Sequence, residues 1–234
     1  MRLLSWNVRG LGAAAKKRAV RNLIRQHNGE CVILLESKLE LVSEFLVKKI
    51  WVSDKCEFAY SPSIGRSGGI VICWDEDRFK VSRTLVEERF VCIEGCWLSD
   101  NWMCGFMGIY APCDIEQQRI LWERLLTVMG NSEVPWCLIG DFNMVTCLEE
   151  RRGCAMTNRG IDEFVEFVQN SGLVDLELRK HSFTWFGADN RCRRLDRCLV
   201  SPRWIDRYAN LCLSALPRGV SDHTPLLLVS DVLD

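Results

Sequence analysis

The stretch Trp136-Cys137-Leu138-Ile139-Gly140-Asp141-Phe142-Asn143 joins an apolar run to a glycine, a carboxylate and an amide. The apolar run predicts a buried strand, and the polar residues predict where that strand ends. Residues i and i+2 of an extended chain share a face, so Asp141 and Asn143 are expected to point at one small object. A turn is the more common outcome of Asp-x-Asn after a strand, so the rest of the chain must decide between the two.

The composition is that of an ordinary globular protein. The chain has 234 residues, of which 48% are hydrophobic and 26% are charged, and we expect a single domain over residues 1–234. No apolar run approaches the roughly 18 residues of a membrane-spanning helix, so no membrane partner is expected. The 13 cysteines include no Cys-x-x-Cys, and several lie in apolar runs, which indicates free thiols in a reduced, intracellular protein.

Hydrophobic periodicity predicts an α+β fold. Strands over residues 2–8 and 31–35 alternate with helices over 16–27 and 43–51, which predicts parallel pairing at the start of the chain. Five strand-like runs over residues 57–110 then predict an antiparallel meander. The remaining predicted elements are helices over 115–129 and 161–170, a polar loop over 149–160, and strands over 136–143, 182–186, 195–200, 211–216 and 225–229. Together they predict two sheets covered by helices.

Polar residues recur where the predicted apolar strands end or begin. These residues are Asn7, Glu36, Tyr110, Asp141, Asn143, Asp196 and the run Ser221-Asp222-His223. Each has an ordinary alternative, such as a surface loop, a turn or a structural ion pair. Polar groups at the ends of several strands are also how a rigid sheet presents a site at one rim. The set as a whole therefore predicts a functional site.

The residue types in this set suit phosphodiester hydrolysis. Mg²⁺ prefers oxygen ligands and is usually held by one or two carboxylates together with water and substrate phosphate. Glu36 is the natural first ligand, with Asn7 and Asp222 nearby. His223 is suited to proton transfer or phosphate binding near neutral pH, and Asp196 would fix its tautomer. Adjacent residues of an extended chain face opposite ways, so Asp222 is expected to point from His223 towards the metal.

The charges are unevenly distributed. The formal net charge is −1, yet residues 1–30 contain many basic residues and Glu30 as their one acid. A second basic cluster, formed by Arg191, Arg193, Arg194 and Arg197, surrounds Asp196. Both clusters fit either a solvated surface or a polyanion-binding surface.

An ordered set of short motifs resembles the endonuclease/exonuclease/phosphatase superfamily, which has the deoxyribonuclease-I-like fold. The motifs are Ser5-Trp6-Asn7-Val8-Arg9-Gly10, Leu35-Glu36-Ser37-Lys38, Gly68-Gly69, Gly108-Ile109-Tyr110-Ala111-Pro112, Gly140-Asp141-Phe142-Asn143, Arg194-Leu195-Asp196-Arg197 and Ser221-Asp222-His223. The resemblance implies a four-layered α/β/β/α sandwich with two mixed β-sheets flanked by helices. It also implies a Mg²⁺-dependent phosphodiesterase in which Mn²⁺ can substitute.

The resemblance also implies a role for each site residue. Glu36 is similar to the main metal ligand of the family, with help from Asn7 and Asp222. Asp141 would handle a proton and Asn143 would be its partner in the transition state, while Asp196 would orient His223. The catalytic set so implied is Tyr110, Asp141, Asn143, Asp196 and His223. Asp141, Asn143 and His223 are also counted among the residues that can touch the metal.

Within the superfamily, three motifs are most similar to the endonuclease domain of LINE-type, non-LTR retrotransposons, notably those of plants. These are Asn-Val-Arg-Gly-Leu from residue 7, Ser-Phe-Thr-Trp from residue 182, and Arg-Leu-Asp-Arg from residue 194. The resemblance implies nicking of duplex DNA, a nuclear location, and a reverse transcriptase domain in a longer parent protein. The chain would then be a fragment, an excised piece or a stand-alone host copy. The implied DNA-binding residues are Arg9, Thr184, Trp185, Arg191, Arg193, Arg194 and Ser221.

Three alternatives stay open at this stage. Repair AP endonucleases are close relatives, but they carry Asp where this chain has Arg9, and Trp where it has Arg193. A phosphatase or lipid phosphodiesterase of the same fold tends to have different sequences around the glutamate and the Ser-Asp-His run. A catalytically silent remnant that binds nucleic acid is disfavoured because the site residues are all present.

Overall fold

A computed structural model describes residues 1–51, 53, 55–65, 67–154, 158–208 and 210–230 of the chain. The helices among them are α1 (Ala14–His27), α2 (Glu44–Ile50), α3 (Ile115–Gly130), α4 (Ile161–Ser171) and α5 (Pro202–Arg207). The strands are β1 (Arg2–Asn7), β2 (Cys31–Leu35), β3 (Glu57–Ile64), β4 (Ser67–Trp74), β5 (Phe79–Val86), β6 (Phe90–Trp97), β7 (Trp102–Tyr110), β8 (Trp136–Asp141), β9 (Arg151–Arg152), β10 (Val174–Asp175), β11 (Leu178–Arg179), β12 (Trp185–Phe186), β13 (Cys192–Arg193), β14 (Asp196–Val200), β15 (Cys212–Ala215) and β16 (Leu226–Val229).

The described strands form two large mixed sheets and one small sheet. The first large sheet has the order β11-β15-β16-β1-β2-β4-β3, and the second has the order β10-β14-β8-β7-β6-β5. The pairs β1–β2, β11–β15 and β7–β8 are parallel, and the other pairs within these two sheets are antiparallel. The small sheet pairs β12, β13 and β9. The predicted parallel start is confirmed. The expected meander is confirmed in part: β3 and β4 pair antiparallel in the first sheet, and β5, β6 and β7 pair antiparallel in the second, so the chain changes sheets between β4 and β5.

Three apolar clusters hold the layers together. The inward faces of the two large sheets meet in a cluster that includes Ile33, Phe106 and Ile139. Residues of α1 and α2 pack on the outer face of the first sheet, and residues of α3 and α4 pack on the outer face of the second. The four-layered α/β/β/α sandwich is therefore confirmed. Among the described residues, no helix combines the length and the apolar character needed to cross a membrane.

The basic residues of α1 have mixed roles. Arg21 donates hydrogen bonds to the carbonyl groups at the C-terminal end of α2, where the backbone has no helical partners. Lys16 donates to the backbone oxygens of Val8 and Arg9. Arg18 and Arg25 are exposed. Part of this basic cluster therefore stabilises the fold.

The structure differs from the sequence expectation mainly in short elements. The strand expected over residues 182–186 is reduced to Trp185–Phe186. The loop expected over 149–160 contains a single 3₁₀ turn, Leu148–Glu150, followed by β9, and residues 155–157 lie outside the described residues. Helix α5 was missed because its six residues are too few to show a helical period. Its usable signal was Pro202 at the first helical turn.

The topology brings the predicted site residues to one edge of the two sheets. Parallel strands β7 and β8 both end at this edge, with Tyr110 opposite Asp141. Strand β14 runs antiparallel to β8 and begins there, with Asp196 opposite Asp141. Gly140 has a φ of 150°, and a Cβ atom there would lie 2.2 Å from the Ile109 carbonyl oxygen. Only glycine lets β8 approach β7 this closely at the edge.

Candidate active site

A cavity of about 250 Å³ lies where the ends of the two sheets meet. It is lined by Asn7, Arg9, Glu36, Tyr110, Cys113, Asp141, Asn143, Trp185, Arg193, Leu195 and His223. Most of the residues predicted for catalysis and metal binding are therefore brought together in one place. Cys113 and Leu195 also line the cavity but were given no role from the sequence, since neither has a distinctive pattern.

Asp196, His223 and Asp141 form a buried relay. His223 Nδ1 lies 2.8 Å from Asp196 Oδ2, and His223 Nε2 lies 3.7 Å from Asp141 Oδ2. All three side chains are no more than 3% exposed. The Asp196 carboxylate accepts the Nδ1 proton and so directs Nε2 towards Asp141 and the cavity.

The relay residues have shifted pKa values. Burial raises the pKa of the Asp141 carboxyl group to about 6, although the neighbouring His223 acts in the opposite direction. Burial also opposes the charged form of His223, but the Asp196 and Asp141 carboxylates outweigh it and raise its pKa to about 9. Near neutral pH, therefore, a protonated imidazole faces a carboxylate that is poised to exchange a proton.

Asn7 links the first sheet to this relay. Its Nδ2 atom donates to Asp141 Oδ2 at 2.9 Å, and its Oδ1 atom accepts from the Arg9 backbone N–H at 3.1 Å. The Asn7 backbone oxygen accepts from Ser221 Oγ at 2.7 Å. Asn7 thus orients Asp141, and its Oδ1 atom keeps one lone pair for a further ligand.

Asn143 lines the cavity, but from a turn and not from an extended strand. Its φ is 50°, so the chain turns after Asp141, and the expectation that both residues share a face of an extended strand is wrong. Its backbone N–H donates to Asp141 Oδ1 at 3.0 Å, and its Nδ2 donates to the Ala111 oxygen at 2.7 Å. The stretch is both a turn and part of the site, because the turn itself holds Asp141 in place.

Tyr110 lies half-buried at the end of β7 and faces Glu36 and Asp141 across the cavity. Burial, followed by the charges of Glu36 and Asp141, raises the pKa of its hydroxyl group. The side chain therefore stays a neutral phenol at physiological pH and can donate its proton in a hydrogen bond.

Glu36 lies on a loop whose backbone is tied to the loop after β1. Gly10 N–H donates to the Glu36 oxygen at 2.7 Å, and Leu11 N–H donates to the Ser37 oxygen at 2.8 Å. Glu36 has a φ of 51°, an unfavourable value for a residue with a side chain, and such values are typical of functional sites. The Glu36 side chain is only 8% exposed and lines the cavity.

The donor set at Glu36 fits a hard divalent cation. Two positive side chains already surround its carboxylate: Lys38 Nζ lies 3.1 Å from Oε1, and Arg9 Nε lies 3.8 Å from Oε2. Glu36 and Asn7 offer oxygen atoms, the ligand type that Mg²⁺ and Mn²⁺ prefer. Asp141, Asp196 and His223 also offer ligand atoms within 4.8 Å of one another, but Asp196 and His223 are hydrogen-bonded to each other. Glu36 and Asn7 are therefore the cavity residues best suited to hold such a cation.

Asp222 is placed differently from the expectation. Its carboxylate is 31% exposed, accepts from Arg9 Nη1 at 3.0 Å and from Trp185 Nε1 at 3.1 Å, and is not among the residues that line the cavity. The structure thus connects it to the Glu36 side of the site through the Arg9 guanidinium group.

Three of the residues predicted to contact DNA are buried or committed to the fold. Thr184 is fully buried, and its hydroxyl oxygen accepts from the backbone N–H groups of Leu195 and Asp196. Ser221 is 8% exposed and donates to Asn7. Arg194 binds acidic residues inside the protein, as described below. In the structure, therefore, these three side chains have partners within the protein and help to position the site.

The other predicted DNA-binding residues lie at or near the mouth of the cavity. Trp185 and Arg193 line it, with the Arg193 guanidinium 5.5 Å from the Trp185 ring. Arg9 is 44% exposed. Arg191 lies in the turn between β12 and β13, where its Nε donates to the Ala188 oxygen. Together they give the mouth of the cavity a positive, partly aromatic surface.

A buried network of ion pairs adjoins the relay through β14, the strand that begins at Asp196. Arg197, which is fully buried on β14, binds the carboxylates of Glu150 and Asp175. Arg194 binds the same two carboxylates at 3.0 and 3.1 Å. Glu150 also accepts from Thr146 in the loop that follows Asp141. The network was not predicted, because its two acids lie in stretches with no motif of their own.

Comparisons with known proteins identify the family and the fold of the chain. The model of the Endonuclease/Exonuclease/phosphatase family matches residues 4–223. No curated protein matches the chain. An AP endonuclease from Leishmania major is similar in structure, with a TM-score of 0.75 at 17% identity over 97% of this chain and 86% of that chain.

Two further solved structures are similar over nearly the whole length of both chains. A 3′ phosphatase from Neisseria, bound to a product DNA hairpin, has a TM-score of 0.74 at 17% identity over 99% of this chain and 100% of that chain. The endonuclease domain of TRAS1, a telomere-specific non-LTR retrotransposon, has a TM-score of 0.71 at 16% identity over 100% of this chain and 99% of that chain. At these identities the likeness shows a shared fold.

Proposed function

The chain belongs to the endonuclease/exonuclease/phosphatase family, and we propose that it is a divalent-metal-dependent DNA endonuclease that nicks duplex DNA, as in LINE-type retrotransposition. The observation that carries this proposal is the buried relay of Asp196, His223 and Asp141 beside the Glu36 carboxylate. The positive, aromatic mouth of the cavity supports a nucleic-acid substrate. In this proposal a reverse transcriptase domain is the natural partner in a longer parent protein.

The relay suits hydrolysis of a phosphodiester. Asp141 would accept a proton from the attacking water as the oxygen–phosphorus bond forms and the bond to the leaving oxygen breaks. His223, protonated and held by Asp196, would stabilise the negative charge that develops on the phosphoryl oxygens. The neutral hydroxyl of Tyr110 faces the same space and would donate a hydrogen bond to the phosphate.

Glu36 and Asn7 would hold the divalent cation. When bound, Mg²⁺ or Mn²⁺ would polarise the phosphoryl group and neutralise charge on the leaving oxygen. In this proposal Asp141 accepts the proton of the water, and His223 and Tyr110 orient the phosphate.

We expect the wild-type protein to nick supercoiled plasmid DNA in Mg²⁺ or Mn²⁺ and to lose that activity in EDTA. The relaxed circular product is measured on an agarose gel. Plasmid that stays supercoiled in both metals would contradict the proposed function and favour a silent nucleic-acid-binding remnant. Cleavage of matched duplexes with and without one abasic analogue then separates endonuclease from repair enzyme. A preference of about 100-fold or more for the abasic duplex would favour repair.

The rate of nicking is expected to have a bell-shaped dependence on pH. It should rise through about pH 6, where Asp141 loses its proton and becomes able to accept one from water. It should fall above about pH 9, where His223 loses its positive charge. Initial rates at saturating metal give the profile, and the exposed Asp206→Asn variant serves as the control. A rate that simply follows hydroxide concentration from pH 6 to 9 would exclude these assignments.

A further inference from the structure

Arg9 joins two carboxylates of the site that lie far apart in the sequence. Its Nη1 atom is 3.0 Å from Asp222 Oδ2, and its Nε atom is 3.8 Å from Glu36 Oε2. Lys38 binds only the opposite oxygen of Glu36, at 3.1 Å. Among the ion pairs described at this rim, Arg9 alone therefore spans Glu36 and Asp222.

The backbone that carries Arg9 is fixed. Arg9 has a φ of 47°, its N–H donates to Asn7 Oδ1, and its carbonyl oxygen accepts from Lys16 Nζ at 2.7 Å. The next residue, Gly10, donates to the Glu36 backbone oxygen. The side chain can therefore move without disturbing the loop, and at 44% exposure it has solvent to move into.

The positions of the charges indicate that Arg9 and a divalent cation compete for the Glu36 carboxylate. The Glu36 carboxylate is buried, and a buried carboxylate needs a positive partner to offset its lost hydration. Arg9 and Lys38 supply that positive charge in the structure. A divalent cation bound at Glu36 would bring two further positive charges close to the guanidinium group, which would repel it.

We propose that Arg9 is an internal counter-ion of the Glu36 and Asp222 carboxylates, which a divalent cation must displace in order to bind. This inference rests on the proposed function, because it concerns the metal site of that function. The displaced guanidinium group would lie at the exposed rim near Trp185 and would be free to bind a DNA phosphate. DNA and metal would then each favour the binding of the other, since both select the displaced position of Arg9.

The test measures metal binding rather than cleavage. Isothermal titration calorimetry of the full chain with Mn²⁺, without DNA, is expected to show affinity about fivefold or more higher for Arg9→Gln than for wild type. Arg18→Gln, which removes an exposed positive charge from α1, should leave the affinity within about twofold. Equal affinities of wild type and Arg9→Gln, or no Mn²⁺ binding by either, would overturn the inference.

A second variant, Arg9→Lys, keeps the test decisive if Arg9→Gln does not fold. Arg9→Lys keeps the charge but lacks the planar fork that reaches both carboxylates, so its Mn²⁺ affinity should lie between those of wild type and Arg9→Gln. If Arg9→Gln fails to fold, a wild-type affinity of Arg9→Lys overturns the inference. A duplex with cleavage-resistant phosphorothioate linkages should raise the Mn²⁺ affinity of wild type more than that of Arg9→Gln. An equal rise would contradict the coupling to DNA.

The outcome is distinguishable from that of the proposed function. Tighter Mn²⁺ binding by Arg9→Gln in a protein that nicks no plasmid would support the inference and contradict the endonuclease assignment. Plasmid nicking by a protein whose Mn²⁺ affinity is unchanged by Arg9→Gln would do the reverse.

Discussion

Asp141→Asn is expected to lower the rate of plasmid nicking by about 10²- to 10⁴-fold, the usual contribution of a positioned acid–base group. The amide has nearly the shape of the carboxylate but cannot accept the proton of the attacking water. The amide loses one of the two hydrogen bonds that the Asp141 oxygens accept, from Asn7 and Asn143, but burial already disfavours the charged form, so the fold should stay intact. Initial rates at saturating Mg²⁺ measure the loss, and circular dichroism checks the fold.

Asp206→Asn is the matched control, because Asp206 is exposed on α5, which follows the end of β14 opposite to Asp196. It should nick at the wild-type rate. His223→Ala should lower the rate of plasmid nicking by a comparable factor, since it removes the protonated imidazole between Asp141 and Asp196. Retention of more than about a tenth of the wild-type rate by Asp141→Asn would exclude Asp141 as the proton acceptor.

Arg197→Met is expected to lower the free energy of unfolding by about 3–5 kcal/mol, the usual result of removing one partner from a buried ion pair. The substitution keeps an unbranched apolar chain but leaves Glu150 and Asp175 with Arg194 as their remaining partner in the network. Burial raises the pKa of Asp175 although Arg197 and Arg194 act in the opposite direction, so loss of Arg197 removes part of what favours its charged form. Urea denaturation monitored by tryptophan fluorescence measures the change.

Arg18→Met, on the exposed face of α1, is the control and should change the free energy of unfolding by less than about 0.5 kcal/mol. The double variant Arg197→Met, Asp175→Asn should lose less free energy of unfolding than the two single variants lose together. The second change removes the buried charge that the first leaves without its partner. A loss below about 1 kcal/mol for Arg197→Met would show that Arg194 and water suffice to stabilise the two acids.

The long elements and the rim of the site could be predicted because they depend on local pattern. Apolar runs such as the one ending in Asp141 identify buried strands, and the polar residue after each run identifies the edge. The pairing of Asp196 with His223 follows from residue chemistry once the edge is known. The ordered motifs then indicated the family and its four layers.

What could not be predicted depends on contacts between distant parts of the chain. Thr184 and Ser221 resemble surface hydroxyls in the sequence, yet both are buried because backbone groups of other strands need them as partners. Arg194 and Arg193 are neighbours in one basic cluster, but Arg194 enters the ion network while Arg193 lines the cavity. Arg193 is the last residue of β13 and Arg194 follows it, where Glu150 and Asp175 from elsewhere in the chain bind Arg194.

Asn7 and His223 stand at opposite ends of the chain, and they meet at the seam between the two sheets through Ser221 and Asp141. During synthesis on the ribosome, Glu36, Tyr110 and Asp141 emerge long before Asp196 and His223 do. A prematurely terminated product therefore carries the residues that would hold a metal without the pair that would complete the relay. The relay of Asp196, His223 and Asp141 is therefore assembled only after β14 and the segment that leads into β16 have been synthesised.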